Sequence, residues 1–332
     1  MIVLAGDIGG TKTQLGLFTR ADPKSPLVMR HHERFVSRAY PDLESLCSGY
    51  LTGRPEKPGA AAFGIAGPIV NGRCEATNLP WVIEQRSLER LLACPVMMIN
   101  DLEAMAYGVP ELKPEEFLTL NRGVEATEAA CAIIAAGTGL GEGYMVWDPV
   151  SKRHVPSASE GGHTDFAARN PDEIELLRHL QTRFERVSVE RVVSGAGIRE
   201  IFDHLAATGR YDVPATLRAA LDAGDHAAVI SNAAMTGGAA LCVETMRRFV
   251  AAYGAEAGNL ALKVMARGGV YVGGGIAPKI LPLMTDGVFM SNFLDKGRFA
   301  PLMSTIRVRI LLNELASLLG AAAVAARWTS PH

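Results

Sequence analysis

Short apolar runs of strand length recur along the first hundred residues. These runs are Ile2 to Ala5, Leu15 to Phe18, Leu27 to Phe35, Ala60 to Ile65 and Val96 to Ile99. Small polar residues join the first two runs, which is typical of a β-hairpin. Tyr40 to Leu51 and Ser87 to Ala93 predict intervening helices, with Ser87 as an N-cap. Alternating strands and helices predict an α/β layer structure.

The same alternation continues to the end of the chain. Further strands are predicted over 130–136, 144–147, 269–272 and 306–311, and helices over 171–184 and 315–327. The segment 225–265 is helix-rich, with breaks expected near Gly237-Gly238 and Gly254. We expect Asn313 to cap the last helix, and that helix to return and pack on the N-terminal domain.

Composition narrows the function classes. The 332 residues are 48% hydrophobic and 20% charged, with a net charge of −2, which gives no general attraction to nucleic acid or an anionic membrane. No apolar run has the length needed to span a bilayer. The cysteines are widely spaced and predict reduced thiols: Cys47, Cys74, Cys94, Cys131 and Cys242. The first residues lack a signal-peptide pattern, so we expect a cytoplasmic location.

Two glycine-rich turns stand between strands. Asp7-Ile8-Gly9-Gly10-Thr11-Lys12 joins the first two runs, and Gly137-Thr138-Gly139-Leu140-Gly141 repeats the arrangement later. Glycine lets backbone N–H groups come close to a ligand, so such turns can cradle phosphate oxygens. Asp7 is then a candidate magnesium ligand, directly or through water. The alternative for the first turn alone is an ordinary hairpin, but the pairing of two such turns is more specific.

Polar residues follow other strands. Asn100-Asp101 directly follows the strand ending at Ile99, and Asp101 is a candidate acid or base, or alternatively a helix N-cap. Glu160-Gly161-Gly162-His163 is a polar loop suited to binding, while a zinc site at His163 lacks ligands at the right spacing. Glu190 could equally be a first-turn helix acid. Gly273-Gly274-Gly275 suits a flat ligand such as a purine, or a tight strand-to-helix turn, whereas a dinucleotide fingerprint does not fit.

This ordered set resembles the bacterial glucokinases of the hexokinase type, within the actin-like sugar kinase superfamily. The resemblance runs nearly end to end. It implies a two-domain actin-like ATPase fold, of the ribonuclease H-like kind, with an interdomain cleft. The expected domains are 1–112 with 313–332, and 113–312. The chain has no cysteine between His163 and Cys242, so it lacks the zinc motif of the related repressor and sugar-kinase family. The resemblance is therefore to the zinc-free branch.

The resemblance also implies residue roles. Asp101 would be the catalytic base that takes the proton from the sugar 6-hydroxyl. The sugar ligands would be Asn78, Asn100, Asp101, Glu160, His163, Glu190 and Gly67. ATP would bind Asp7, Gly9, Gly10, Thr11, Lys12, Gly137, Thr138, Gly139, Gly273, Gly274 and Gly275, with Mg²⁺ at Asp7. A homodimer is what the family suggests.

The expected function is ATP-dependent phosphorylation of D-glucose to glucose 6-phosphate. Carboxylates, an amide and an imidazole can fix a sugar's orientation and penalise an epimer that leaves one of them unpaired. One alternative is a kinase of another hexose or of an N-acetylated amino sugar. The other is a catalytically silent sugar-binding regulator, which would lack the base or a phosphate loop.

Overall fold

The computed structural model describes residues 1–22, 25–76 and 79–328. The chain forms two compact units. Unit 1 consists of Met1–Glu116, Pro156–Ala158 and Asn313–His332, and unit 2 of Phe117–Val155 and Ser159–Leu312. Each unit is described separately below.

Unit 1 is built on a mixed sheet. The strands of unit 1 are β1 Ile2–Ile8, β2 Lys12–Thr19, β3 Val28–Val36, β4 Ala60–Ile65, β5 Ile69–Val70, β6 Arg73–Glu75, β7 Val82–Glu84 and β8 Val96–Asn100. Strands β5, β6 and β7 form a separate small sheet. Its first helices are α1 Leu43–Leu51, α2 Gln85–Leu92 and α3 Asp101–Gly108. The main sheet has the order β3-β2-β1-β4-β8, with β1 antiparallel to β2 and parallel to β4. The predicted hairpin is therefore confirmed.

Unit 2 carries the second large sheet, in the order β12-β11-β10-β13-β14-β9. These strands are β9 Phe117–Asn121, β10 Cys131–Ala136, β11 Leu140–Asp148, β12 Arg153–Ser159, β13 Gly269–Gly273 and β14 Val308–Leu311. The helices are α4 Pro171–Gln181, α5 Gly195–Ala207, α6 Ala215–Ala223, α7 His226–Met235, α8 Ala240–Lys263, α9 Leu281–Met284, α10 Val288–Leu294 and α11 Ala300–Ser304. Short 3₁₀ helices cover Gly161–His163, Val189–Arg191, Ala277–Ile280 and Gly297–Phe299 in unit 2, and Ser37–Ala39, Val109–Glu111 and Pro114–Glu116 in unit 1.

The last helix, α12 Ala316–Trp328, returns to unit 1 as predicted and packs against α3 and β1. Asn313, three residues before α12 begins, accepts a hydrogen bond from the Leu315 N–H at 2.8 Å. The contact with α3 is close, because a Cβ at Gly320 would lie 1.7 Å from the Ala104 carbonyl oxygen. Small residues on both helices therefore let their backbones meet.

Two local predictions are wrong. Ser87 is not an N-cap, because α2 already begins at Gln85 after Glu84, which makes no side-chain cap bond. Gly254 does not break its helix: α8 runs through it, and a Cβ there would lie 2.2 Å from the Phe289 carbonyl oxygen. Glycine at 254 thus serves the contact with α10 rather than a turn. The expected break near Gly237-Gly238 does separate α7 from α8.

No single helix among residues 1–22, 25–76 and 79–328 is long and apolar enough to cross a membrane. The pair α7 and α8 passes the same test by length and composition, but it is bent by 104° at its break. Most of the inward residues of α8 belong to the core of unit 2, among them Leu241, Met246, Phe249 and Tyr253.

Candidate functional site

Loop one, residues 7–12, is a tight turn between β1 and β2. Gly9 donates its N–H to the Lys12 carbonyl oxygen at 3.1 Å. Ser37, which follows β3, donates its hydroxyl to the Gly9 carbonyl oxygen at 2.8 Å and its N–H to the Thr11 carbonyl oxygen at 3.1 Å. Neither Gly9 nor Gly10 has a positive φ. The turn is thus shaped by these hydrogen bonds, and it leaves Thr11 and Lys12 exposed.

Asp7 lies on β1 just before this turn, opposite Gln14 of β2. Gln14 donates a hydrogen bond to its Oδ2 at 3.3 Å and contacts the His32 ring nitrogen at 3.1 Å through its own oxygen. Burial raises the pKa of Asp7 to about 6, while the Gln14 hydrogen bond and the charge of Arg34 lower it. A nearby cation would favour the ionised form further.

The surroundings of Asp7 suit a magnesium site that uses one protein carboxylate. No group of three or more His, Cys, Asp or Glu side chains able to hold a metal exists within the described part of the chain. Mg²⁺ is commonly held by one or two carboxylates together with waters and substrate phosphates, rather than by an all-protein cage. A single half-buried carboxylate beside a glycine turn matches that chemistry.

Loop two, residues 137–141, is the corresponding turn between β10 and β11. Gly137 donates its N–H to the Gly139 carbonyl oxygen at 2.8 Å, and its own carbonyl oxygen accepts from the Gly195 N–H at 2.8 Å. Glu190 accepts a hydrogen bond from the Leu140 N–H at 2.9 Å. A Cβ at Gly139 would lie 2.4 Å from the same Glu190 oxygen. The glycine is therefore needed for the carboxylate to reach the turn, and Thr138 stays exposed.

Loop three, residues 273–275, follows β13. Gly274 has φ +81°, and a Cβ there would lie 2.3 Å from the Ala136 carbonyl oxygen, so only glycine fits. The buried hydroxyl of Tyr253 accepts from the Ala136 N–H at 3.1 Å and donates to the Gly273 carbonyl oxygen at 3.2 Å. Tyr253 on α8 thus joins the end of β10, where loop two begins, to the start of loop three.

Asn100, rather than Asp101, is the N-cap of α3. Its Oδ1 accepts from the Leu102 N–H at 2.9 Å, and Glu103 closes a capping box on the Asn100 N–H at 3.2 Å. The N-cap alternative for Asp101 is therefore wrong: Asp101 is the first helical residue, and its Oδ1 contacts the Leu102 N–H at 3.0 Å. Since the Asn100 oxygen is used by the cap, a ligand would meet its NH2 group.

Other predicted sugar residues are distributed over both units. Gly67 lies after β4 with φ 144°, and Asn78 lies outside the described residues. In unit 2, Glu160 and His163 bound a 3₁₀ helix with side chains 71% and 58% exposed, so both can reach a ligand. Glu190 lies in the first turn of another 3₁₀ helix, which agrees with the alternative interpretation of Glu190 as a first-turn helix acid. Its carboxylate nevertheless reaches loop two.

Three residues that support the candidate site are not predicted by the sequence pattern. Ser37, Tyr253 and Glu142 are buried polar side chains that contact loop one, loops two and three, and the 160–163 segment respectively. Ser37 lies in a short 3₁₀ helix, Glu142 on β11 and Tyr253 on α8, and no local motif marks them. Only the unusual presence of a polar residue at an inward position of β11 or α8 could have indicated them.

Comparison with known proteins is consistent over the whole chain. A model of the glucokinase family matches residues 4–328. The glucokinase of Nostoc sp. is 43% identical, over 98% of this chain and 99% of its own. The glucokinase of Synechocystis sp. is 41% identical, over 98% of each chain.

Solved structures agree. A glucokinase from an Antarctic psychrotroph is 30% identical, with a TM-score of 0.84 over 98% of this chain and 99% of that one. A ROK family glucokinase from Streptomyces griseus, solved in complex with glucose and AMPPNP, has a TM-score of 0.68 at 21% identity over 98% and 100% of the two chains. At that identity the second likeness supports the fold alone. Together they confirm the predicted α/β, actin-like ATPase fold class.

Proposed function

The chain belongs to the glucokinase family, and from that premise we propose that it transfers the γ-phosphoryl group of ATP to the 6-hydroxyl of D-glucose. The residue assignments rest on the position of Asp101, which is the first residue of α3 and directly follows β8. The glucokinase family model matches the chain around it, over residues 4–328. Its carboxylate accepts a hydrogen bond from the Leu102 N–H at 3.0 Å, and a carboxylate at that position can act as a base.

Asp101 accepts the proton of the sugar 6-hydroxyl as its oxygen attacks the γ-phosphorus. The other sugar hydroxyls are hydrogen-bonded by Asn100 through its NH2 group and by Glu160, His163 and Glu190. Gly67 and Asn78 complete this set of sugar ligands. Because both donors and acceptors are present, an epimer of glucose leaves at least one polar side chain unpaired, which lowers its affinity.

The nucleotide phosphates bind the two hairpin turns, loop one through Gly9, Gly10, Thr11 and Lys12, and loop two through Gly137, Thr138 and Gly139. Loop three supports the adenosine with Gly273, Gly274 and Gly275. Asp7 would hold Mg²⁺, directly or through water, and the bound ion would supply positive charge to the phosphate oxygens. The protein's contribution is to position both substrates and exclude water from them.

The family membership also supports a homodimer in the cytoplasm, whose substrates are small molecules rather than nucleic acid or a membrane. Light scattering behind a sizing column tests the dimer. A mass of about twice the 35.4 kDa chain supports it, and a monomer at micromolar concentration contradicts it.

A coupled assay with ATP and magnesium tests the function, comparing glucose, mannose, fructose and N-acetylglucosamine. We expect glucose to be the preferred substrate, and Asp101→Ala to lower kcat by about 100- to 10,000-fold while glucose still binds, because a positioned base typically contributes that much. Glu115→Gln, at an exposed position of unit 1, is the control. Preference for another sugar would favour the alternative hexose or amino-sugar kinase. Glucose binding without turnover on any sugar would favour the regulator.

A further inference from the structure

Glu142 is a buried acid that the proposed mechanism does not use. It is the third residue of β11 and directly follows loop two. The residue is only 1% exposed. Its Oε1 atom is buried and accepts no hydrogen bond from any residue within 1–22, 25–76 and 79–328. A buried carboxylate without donors is costly, so its placement requires a reason.

The Glu142 carboxyl group lies directly against the segment that carries Glu160 and His163. A Cβ on Gly161 would be 2.1 Å from Glu142 Oε2 and 2.9 Å from its Cδ. Ser159 adds a second link, because its hydroxyl donates to the Glu142 carbonyl oxygen at 3.0 Å and accepts from the Gly161 N–H at 3.2 Å. The backbone at residues 159–161 therefore rests on Glu142.

Gly162, the next residue, also packs against β11, but against Leu140 instead of Glu142. A Cβ there would lie 2.1 Å from the Leu140 carbonyl oxygen. Both glycines between Glu160 and His163 are thus required by packing against β11. The positions of the two exposed side chains depend on how closely this segment lies on the strand.

The charged and titratable neighbours of Glu142 come from α8 and beyond. Glu256 lies beside it, itself accepting hydrogen bonds from Asn259 at 2.9 Å and Lys263 at 3.2 Å. Tyr253 also faces Glu142 from α8. Lys296 faces Glu256 from the loop after α10. The immediate partner of Glu142 is therefore another acid, whose hydrogen bonds to Asn259 and Lys263 suit its charged form.

Burial raises the pKa of Glu142 to about 8, the charge of Glu256 and its hydrogen bond raise it too, and Lys263 lowers it. A neutral carboxyl group can donate a hydrogen bond, which removes the need for an external donor. At neutral pH the Glu142 carboxyl group is therefore mostly protonated. Above pH 8 a second negative charge develops against Gly161.

We propose that the buried Glu142 carboxyl group is a positioning residue for the sugar site, holding the 159–163 segment from beneath Gly161. This inference rests on the proposed function. Ionisation of Glu142 displaces the segment, so it weakens sugar binding at alkaline pH and leaves the nucleotide loops unaffected.

The test compares the wild type with Glu142→Gln, a neutral side chain of the same shape, and with Glu128→Gln at an exposed position of unit 2 as the control. If only the neutral acid permits sugar binding, a pKa near 8 gives an increase in KM for glucose of about eightfold between pH 7.5 and 9. The KM for ATP stays level. Glu142→Gln removes the increase, whereas Glu128→Gln keeps it. Glu256→Gln shifts the increase to lower pH, because the neighbour that raises the pKa has lost its charge.

Thermal unfolding provides a measurement that does not depend on turnover. A carboxyl group whose folded pKa lies above its ordinary 4.5 has its full stabilising effect below that value and loses it as pH rises towards 8. The Tm of the wild type therefore falls relative to that of Glu142→Gln across this range.

The outcomes separate the two proposals. A pH-independent KM for glucose in the wild type, the same increase in Glu142→Gln, or a parallel rise in both KM values overturns the positioning role. If the wild type does not phosphorylate glucose but binds it in a calorimeter, the proposed function fails, and the pH dependence of that binding decides the role of Glu142. If no sugar binds at any pH, both fail, even where the unfolding curves differ as expected.

Discussion

Loop one and loop two have the same local architecture, a glycine turn between two strands, but different side chains hold them in place. Loop one is held by Ser37, a neutral residue whose hydroxyl and N–H bind the Gly9 and Thr11 carbonyl oxygens. Loop two is held by the Glu190 carboxylate on the Leu140 N–H, and by the Gly195 N–H on Gly137. One turn is therefore fixed through its acceptors alone, and the other through a donor as well.

This difference matters because the two clamps have different second roles. Ser37 is fully buried between loop one and Thr13, where its hydroxyl lies 3.0 Å from that of Thr13. It can serve only the turn. Glu190 is both the clamp of loop two and a proposed sugar ligand. Loop two should therefore respond to the sugar, whereas loop one should not.

Of the variants that distinguish the two loops, we expect Asp7→Asn to have the largest effect, although Asp7 makes no hydrogen bond to Ser37. Asp7→Asn removes the proposed magnesium ligand and should lower kcat by about 100- to 1,000-fold, as loss of one preorganised electrostatic contact does. The magnesium concentration for half-maximal rate should rise, and KM for glucose should change little. Steady-state kinetics over a magnesium titration measure this. A large change in KM for glucose with normal kcat would contradict the assignment.

Glu190→Gln should have an intermediate effect that extends to both substrates. A charge-assisted hydrogen bond becomes a neutral one, so KM for glucose should rise about tenfold and KM for ATP a few-fold. Glu160→Gln is the matched control, because its exposed side chain makes no hydrogen bond to loop two, and only its KM for glucose should rise.

Calorimetry extends this comparison. If glucose tightens binding of a non-hydrolysable ATP analogue in the wild type, Glu190→Gln should lose that coupling and Glu160→Gln should keep it at saturating sugar. An unchanged coupling in Glu190→Gln would mean that loop two does not respond to the sugar through this residue.

Ser37→Ala should have the smallest effect on catalysis. The Gly9 carbonyl oxygen and the Thr13 hydroxyl lose a buried partner, which should lower the free energy of unfolding by about 1–3 kcal/mol. A looser turn should raise KM for ATP by roughly threefold, with KM for glucose unchanged. Urea unfolding and kinetics measure the two effects, with the exposed Ser45→Ala as control. A raised KM for glucose would remove the distinction between the loops.

Much of the fold followed from periodicity. The runs from Ile2, Ala60 and Cys131 became buried strands, because each is apolar, short and bounded by turn residues. Errors occurred where a residue type has two uses. The sequence predicts a helix break at Gly254, whereas in the structure the missing side chain allows the close approach of Phe289. The cap of α3 fell to Asn100 rather than Asp101, since either residue type can cap.

The roles of the predicted site residues stay predictions, although the structure describes the surroundings of nearly all of them. The glycine turns were readable because a phosphate-binding turn requires consecutive small residues in one stretch of chain. Ser37, Tyr253 and Glu142 were not, because each acts on a segment many residues away. Nothing in the local sequence marks such a partner.

Local patterns of apolar and small residues were enough to predict the alternation of strands and helices, the two glycine turns and the exposed polar groups near them. The residues that hold each turn, and the acid that lies beneath Gly161, became visible only in the folded chain. Hydrogen bonds and buried charges depend on distance in space. The chain brings Glu190 to Leu140, and Glu142 to Gly161, only when the sheet of unit 2 and its helices are folded.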